Sequence, residues 1–237
     1  MSINSELKYL YFLKKSGIDS FLQNTPIYRF NTTSPKKFKE SSAKKKLDEI
    51  DNIDELKLYF NNYDKCLLKK NAHNTVFADG NPNSTIMLIG EAPGAEEDKK
   101  GLPFVGAAGE LLNKMLLSIN LKRNSVYITN VVPWRPPNNR TPSDKEILEC
   151  MPLVQKHIEI IKPTIIILLG GTASKAILAT TLGISKIRGK WHNYNSPNLK
   201  EKIIVRAIYH PAFLLRSPSY KKEVWIDLKE IQKKIEY

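Results

Sequence analysis

The chain has 237 residues, enough for one α/β domain with an appendage, and its 41% hydrophobic and 26% charged residues suit an ordinary soluble globular protein. Lys and Arg number 37 against 24 Asp and Glu, a formal net charge of +13. A surplus of this size attracts polyanions, because each neutralised phosphate releases condensed counterions; nucleic acid is the leading partner and an anionic membrane surface the competitor. No apolar run approaches the ~20 residues of a membrane-spanning helix. The opening stretch, MSINSELKYLYFLKKSGIDSFLQ, has no signal-peptide core, and two cysteines, Cys66 and Cys150, are too few for a disulfide scaffold. These features point to the cytoplasm.

In chain order, residues 5–23 carry an amphipathic helical pattern through Leu7, Leu10, Tyr11, Leu13, Ile18 and Leu22. A Lys- and Ser-rich stretch broken by Pro26 and Pro35 then reads as linker or surface arm. This gives a helical extension over 1–30, a linker over 31–46 and a main domain over 47–237. Helical periodicity returns over 47–63. Beyond it, short Ile/Val-rich runs at 86–90, 126–132, 164–170 and 203–209 alternate with helical stretches at 109–119, 143–161, 172–181 and 220–235. Ser143 followed by Glu146 is a capping-box pattern at the start of the second of these helices. The alternation predicts a three-layer α/β/α sandwich around a central four-stranded, mostly parallel sheet. Ligand chemistry is expected beyond the C-terminal ends of the strands.

Three strands run into unusual loops. The first opens GEAPGAEEDKKGLPFVGAAG from Gly90, combining glycines that allow close backbone approach with the carboxylates Glu91, Glu96, Glu97 and Asp98, and with Phe104 in what should be surface loop. The loop matches neither the P-loop nor the dinucleotide glycine pattern, and its acids would repel a phosphate. The second strand ends at Asn130, whose carboxamide offers one donor and one acceptor to a base edge. The fourth leads to His210 and an apolar tip, Phe213, Leu214 and Leu215, beside Arg216: a wedge with a phosphate clamp. Read singly, each has a plain structural reading as a turn, an Asx-turn or a packed loop. Together they supply what an enzyme needs to extrude a base, stack it and read its Watson–Crick edge. Arg188 and Lys190 form a further basic loop, suited to phosphate.

At these residues the chain resembles the uracil-DNA glycosylase superfamily, most closely its family 4. The motifs are GEAPGAEED at 90–98, GLPFVGAAG at 101–109, YITN at 127–130, RPPNNRTP at 135–142 and HPAFLLR at 210–216, and the similarity covers about residues 64–235. The resemblance implies that Gly90, Phe104 and Asn130 receive uracil, with Phe104 stacking on the flipped base and Asn130 bonding its N3–H and O4. His210 would donate to O2 as negative charge develops there. The water-activating Asp of family 1 corresponds to Ala92, so Glu91 and Glu97 are the candidates for that role, and Glu97 is also a candidate wall against thymine's methyl group. Leu214 or Leu215 would fill the gap in the duplex, and Arg216 would meet phosphate. The implied protein is a monomeric, hydrolytic glycosylase acting on uracil-containing DNA.

One departure from the family is plain. Typical family 4 members hold a [4Fe–4S] cluster through four cysteines, whereas here only the second of each pair remains, as Cys66 and Cys150, with Tyr63 and Trp134 at the other two positions. A thiolate-held cluster needs four ligands, so no cluster and no metal are expected, with aromatic packing in its volume. The competing readings are a glycosylase of the same fold for a mismatched thymine or hypoxanthine, and a DNA-binding homologue without catalysis. Loss of Asn130, His210 or the carboxylates would favour the latter, and all are present.

Overall fold

The structure, a computed structural model, describes residues 46–196 and 198–236; the expected 5–23 helix and nearly all of the linker lie outside these residues. A 3-10 turn at Leu47–Glu49 precedes α1 (Ile53–Asn62), α2 (Leu68–Asn71), β1 (Asp79–Gly80) and β2 (Ile86–Gly90). Then come α3 (Ala95–Lys100), α4 (Ala107–Leu117), β3 (Tyr127–Asn130), α5 (Asp144–Ile161), β4 (Ile165–Leu169) and α6 (Gly171–Leu178). The chain continues through α7 (Ile184–Ile187), β5 (Trp191–Tyr194), β6 (Ile203–Ile208), α8 (Pro211–Arg216) and α9 (Lys221–Glu236).

Local chemistry sets several of these boundaries. The helical pattern over 47–63 is split because Asn52, in extended conformation, accepts the Glu55 N–H at 2.9 Å and starts α1 afresh. The Ser143 box forms: Ser143 Oγ accepts from the Glu146 N–H at 3.3 Å, and Glu146 accepts the Ser143 N–H at 2.7 Å. Among the described residues no helix is long and apolar enough to cross a membrane.

The sheet has six strands in the order β1-β3-β2-β4-β6-β5. The four expected strands are its parallel centre, and the two short strands β1 and β5 add antiparallel edges that the sequence pattern did not announce. Alternation along the buried strands sends successive side chains to opposite faces. Met87 and Ile89 of β2 join Ile166 and Leu168 of β4 against α1, α5 and α6; Ile86, Leu88, Ile165 and Ile167 meet α4, α8 and α9 on the other side. Two cores on one sheet make the three layers. From β2 the chain passes first to β3 on one side and then to β4 on the other. The crevice at the carboxyl ends of these strands is therefore a switch point, where open α/β sheets bind ligands.

One polar pair sits deep in the first core. His157 is almost fully buried between Phe77, with ring centroids 4.6 Å apart, and Phe60 at 5.8 Å, and its Nε2 lies 2.6 Å from the Tyr127 hydroxyl. Either neutral tautomer of the imidazole can share this hydrogen bond with the tyrosine hydroxyl, and burial lowers the His157 pKa from 6.5 to about 3. The unfolded chain takes up this proton near pH 6.5 and the folded chain does not, so acid favours unfolding across that interval. The melting temperature should therefore fall as pH drops from 6.5 toward 3. In a His157→Gln variant, which keeps an acceptor and cannot titrate, the fall should be shallower; an unchanged slope in thermal melts would refute this assignment.

Candidate active site

The carboxyl ends of three of the four parallel strands deliver candidate residues to one edge. Gly90 ends β2 and is followed by Glu91, Asn130 ends β3, and His210 lies two residues beyond β6. The Phe104 loop, between α3 and α4, folds back over this edge. A Cβ placed on Gly90 would stand 2.4 Å from Asn130 Oδ1 and 2.6 Å from Phe104 Cζ, so only glycine lets the amide and the ring approach so closely. The Phe104 and His210 rings lie 5.5 Å apart at 31°. Amide, ring and imidazole, from three separate loops, thus share one small space.

Asn130 is 4% exposed, and its Oδ1 is buried with no hydrogen-bond partner among the described residues. A buried carboxamide oxygen left unsatisfied costs about 1–3 kcal/mol, which a ligand N–H placed there would recover. His210 caps α8: its Nδ1 accepts the Ala212 N–H at 3.1 Å, with Pro211 fitting the first helical position. A ring whose Nδ1 is an acceptor carries its proton on Nε2, so the neutral imidazole is left with one N–H to donate. Burial, and then the positive charge of Arg216, lower its pKa to about 4, while Glu97 pulls the other way. Gly170, at φ +95 beyond β4, stands beneath this ring, since a Cβ there would lie 3.0 Å from His210 Cβ. Sequence reasoning passed over Gly170, although a Gly-Gly pair closing a strand is a signal for such close approach.

The two candidate carboxylates are not equivalent. Glu97 Oε1 accepts the N–H groups of Val105 and Gly106, both at 3.0 Å, and so caps α4, whose own N-cap glycine has no side chain to do it. Glu91, partly buried beside Gly90, makes no side-chain hydrogen bond or ion pair among the described residues, and both its oxygens are available.

The two candidate wedge leucines also separate. Leu214 is 1% exposed and packs into the second core, so it presents no surface to DNA; Leu215, the next position on α8, is 45% exposed beside exposed Arg216. Arg188 is a correction of another kind. Its guanidinium bonds Asp227 Oδ2 at 2.6 Å and Glu223 Oε2 at 2.7 Å, and Asp227 is in turn bonded by buried Arg206 at 2.8 Å. The group is committed to holding α9 against β6. Lys190, by contrast, is exposed and carries no ion pair among the described residues.

Away from this edge, Tyr63, Cys66, Trp134 and Cys150 converge between α1 and α5. Trp134 is fully buried and stacked on Tyr63 with centroids 5.8 Å apart at 8°; its Nε1 donates to Thr75 Oγ1 at 3.1 Å, and the Tyr63 hydroxyl donates to the Glu149 carbonyl. The buried Cys66 and Cys150 thiols adjoin one another, and that proximity together with burial pushes the Cys150 pKa up. Two thiols facing two packed rings do not fit a four-thiolate cluster.

The sequence model of the Uracil DNA glycosylase superfamily matches residues 77–229. A type-4 uracil-DNA glycosylase of Sulfurisphaera tokodaii is 42% identical over 188 residues, covering 77% of this chain and 84% of that protein. One from Archaeoglobus fulgidus is 44% identical over 173 residues, covering 70% and 85%. A third, from Thermotoga maritima, is 43% identical over 155 residues, covering 65% and 78%. The match spans the whole strand-and-loop framework that gathers Glu91, Phe104, Asn130 and His210, and the chain belongs to the uracil-DNA glycosylase superfamily.

Proposed function

We propose that this chain removes uracil from DNA by flipping the deoxyuridine out of the duplex and hydrolysing its N-glycosidic bond, leaving free uracil and an abasic site. The observation that carries this reading is the unpartnered, buried Oδ1 of Asn130 against the Phe104 ring. Uracil offers N3–H to that oxygen and O4 to the amide N–H, while its face stacks on Phe104. Cytosine presents the reverse pattern, an acceptor at N3 and a donor at N4, and meets like against like.

Bond breaking moves the glycosidic electron pair onto the base, and O2 gains negative charge. The Nε2–H of neutral His210 donates to O2, stabilising the anion more than the bound substrate, which is what lowers a barrier. The sugar becomes oxocarbenium-like; a carboxylate beside it stabilises the cation and takes a proton from the attacking water. Glu91 fills that role because both its oxygens are uncommitted. Glu97, engaged by two backbone N–H groups, fixes the loop and bounds the pocket at uracil C5. Leu215 enters the gap in the stack, and Arg216 and Lys190 meet phosphate.

No cofactor enters this scheme. The stacked rings of Tyr63 and Trp134 pack into the same core as the two adjoining thiols, and the chain's two cysteines cannot supply four ligands. The enzyme acts as a monomer in the cytoplasm; two buried free thiols in contact with one another suit a reducing compartment.

Purified protein should cleave an oligonucleotide bearing one U, in U:G, U:A or single-stranded form, with EDTA present. The Asn130→Ala/His210→Ala variant should lose at least about 10²–10³-fold in single-turnover rate. Inert U, T:G and hypoxanthine substrates together would sink the enzymatic reading. Glu91→Gln should lose about 10²–10⁴-fold. Glu97→Gln, which still accepts N–H bonds, should lose less, and the reverse order would exchange their roles. Because the His210 pKa is lowered to about 4, the rate should show no acid limb near 6.5 from this group; an imidazole titrating near 6.5 in a pH–rate profile would contradict the neutral donor. Elemental analysis of the active enzyme should find no iron, whereas four irons per chain would overturn the cluster-free reading.

A further inference from the structure

Phe104 holds its ring over the pocket from a backbone conformation that aromatic residues avoid, the left-handed region at φ +51. The surrounding structure must impose that conformation. On one side, the first turn of α4 presses on it: a Cβ on Gly109 would lie 1.9 Å from the Phe104 carbonyl oxygen. On the other side stands Arg123, from the short turn before β3. Its Nη2 donates to the Pro103 carbonyl at 2.6 Å and its Nη1 to the Phe104 carbonyl at 3.0 Å and to Asn113 Oδ1 at 3.2 Å. Its Nε donates to Asp79 Oδ2 at 2.6 Å, and Asp79 is anchored in β1, opposite Ile128 of β3.

We infer that Arg123 is a positioning residue for base recognition: its guanidinium, aimed by Asp79, clamps the two successive carbonyls that flank and include Phe104 and so fixes the ring that stacks on uracil. The inference rests on the proposed stacking role of Phe104. Peptide planes are rigid, so holding the carbonyls of residues 103 and 104 fixes the backbone torsions of Phe104 between them. A guanidinium is suited to this because its planar N–H groups reach two carbonyls and a carboxylate at once in fixed directions. An ammonium at the same place keeps the charge and loses the fork. The clamp is only partly exposed, which shields it from screening by salt.

The test is a double-mutant cycle. Single-turnover cleavage, inhibition by free uracil, affinity for a uracil-free duplex and melting temperature are measured for the parent, Arg123→Lys, Phe104→Ala and the double variant. Arg123→Lys is expected to lower the single-turnover rate about tenfold or more, since small misplacements of a positioning group have effects of that order. The uracil inhibition constant should rise with it, and affinity for the uracil-free duplex should stay unchanged. In the Phe104→Ala background the Arg123 substitution should add nothing. Asp79→Asn, which leaves Arg123 present and weakens its aim, should show the same non-additivity at smaller size; it serves also if the Arg123 variant folds poorly. Additive losses from Arg123 and Phe104 would overturn the inference, as would a rate loss that vanishes on cooling below the variant's melting range. If Phe104→Ala itself costs nothing, the stacking reading fails first, and the failure is seen in that single variant.

Discussion

The side-chain oxygen of Asn130 is buried at the end of a strand where none of the described residues supplies a donor to satisfy it, and the surrounding architecture keeps it so. A free carboxamide would ordinarily turn toward water or toward the nearest backbone N–H. Here strand β3 fixes its base, and Gly90 on the neighbouring strand, paired in register with Asn130, leaves room for it and nothing with which to bond. The Phe104 ring closes the same space from above. An unsatisfied group of this kind is tolerated where a ligand will complete it, and an unfavourable apo state adds to discrimination: a base that cannot donate at N3 leaves the oxygen as poorly paired as before.

Holding the pocket in that form requires order in loops that have little core of their own. Glu97 caps α4 across the Phe104 loop, and the neighbouring Asp98, fully buried, accepts the N–H groups of His73 and Asn74 at 2.9 and 3.2 Å. The next residue, Thr75, accepts the indole N–H of Trp134. Hydrogen bonds joined by two short runs of backbone, residues 73–75 and 97–98, therefore connect the Tyr63–Trp134 stack to the Phe104 loop. Aromatic packing at that centre anchors residues 73–75 and, through them, α3. A stack of two large rings with satisfied polar tips is rigid through close packing and needs no ligand set.

Much of the site was legible in the sequence because strand ends are marked by chemistry that a core does not use. Gly-Glu after one apolar run, Asn after another and His-Pro after a third are out of place in a buried strand, and all of them fall at the one edge. The four parallel strands were legible for the opposite reason, as unbroken Ile/Val runs. The edge strands β1 and β5 were not: two residues, Asp79 and Gly80, and the mixed WHNY segment carry no period that sets them apart from loop. Arg188 misled because its partners, Glu223 and Asp227, lie 35 and 39 residues away, and local composition shows only the positive charge. The choice between Leu214 and Leu215 is a matter of helical phase, which a six-residue helix is too short to declare. Arg123 stood in an ordinary basic turn, and nothing in its neighbours marked it as the partner of a loop 20 residues earlier.

Charge is sorted in this molecule by what each part must do. The surplus of +13 resides on a protein whose pocket nonetheless gathers Glu91 and Glu97 and a histidine kept neutral. By charge alone a cationic imidazole is the stronger partner for a departing uracil anion. It would also repel the oxocarbenium-like sugar, and it would lose the Nδ1 acceptor that caps α8 and aims the ring. A neutral donor placed at O2 stabilises the developing negative charge by geometry without adding a positive charge beside the sugar. On the proposed reading Glu91 is then left to serve the sugar, and the exposed Arg216 and Lys190 the phosphates. The lowered pKa of His210 follows first from its burial at this strand edge, which keeps the imidazole a neutral donor.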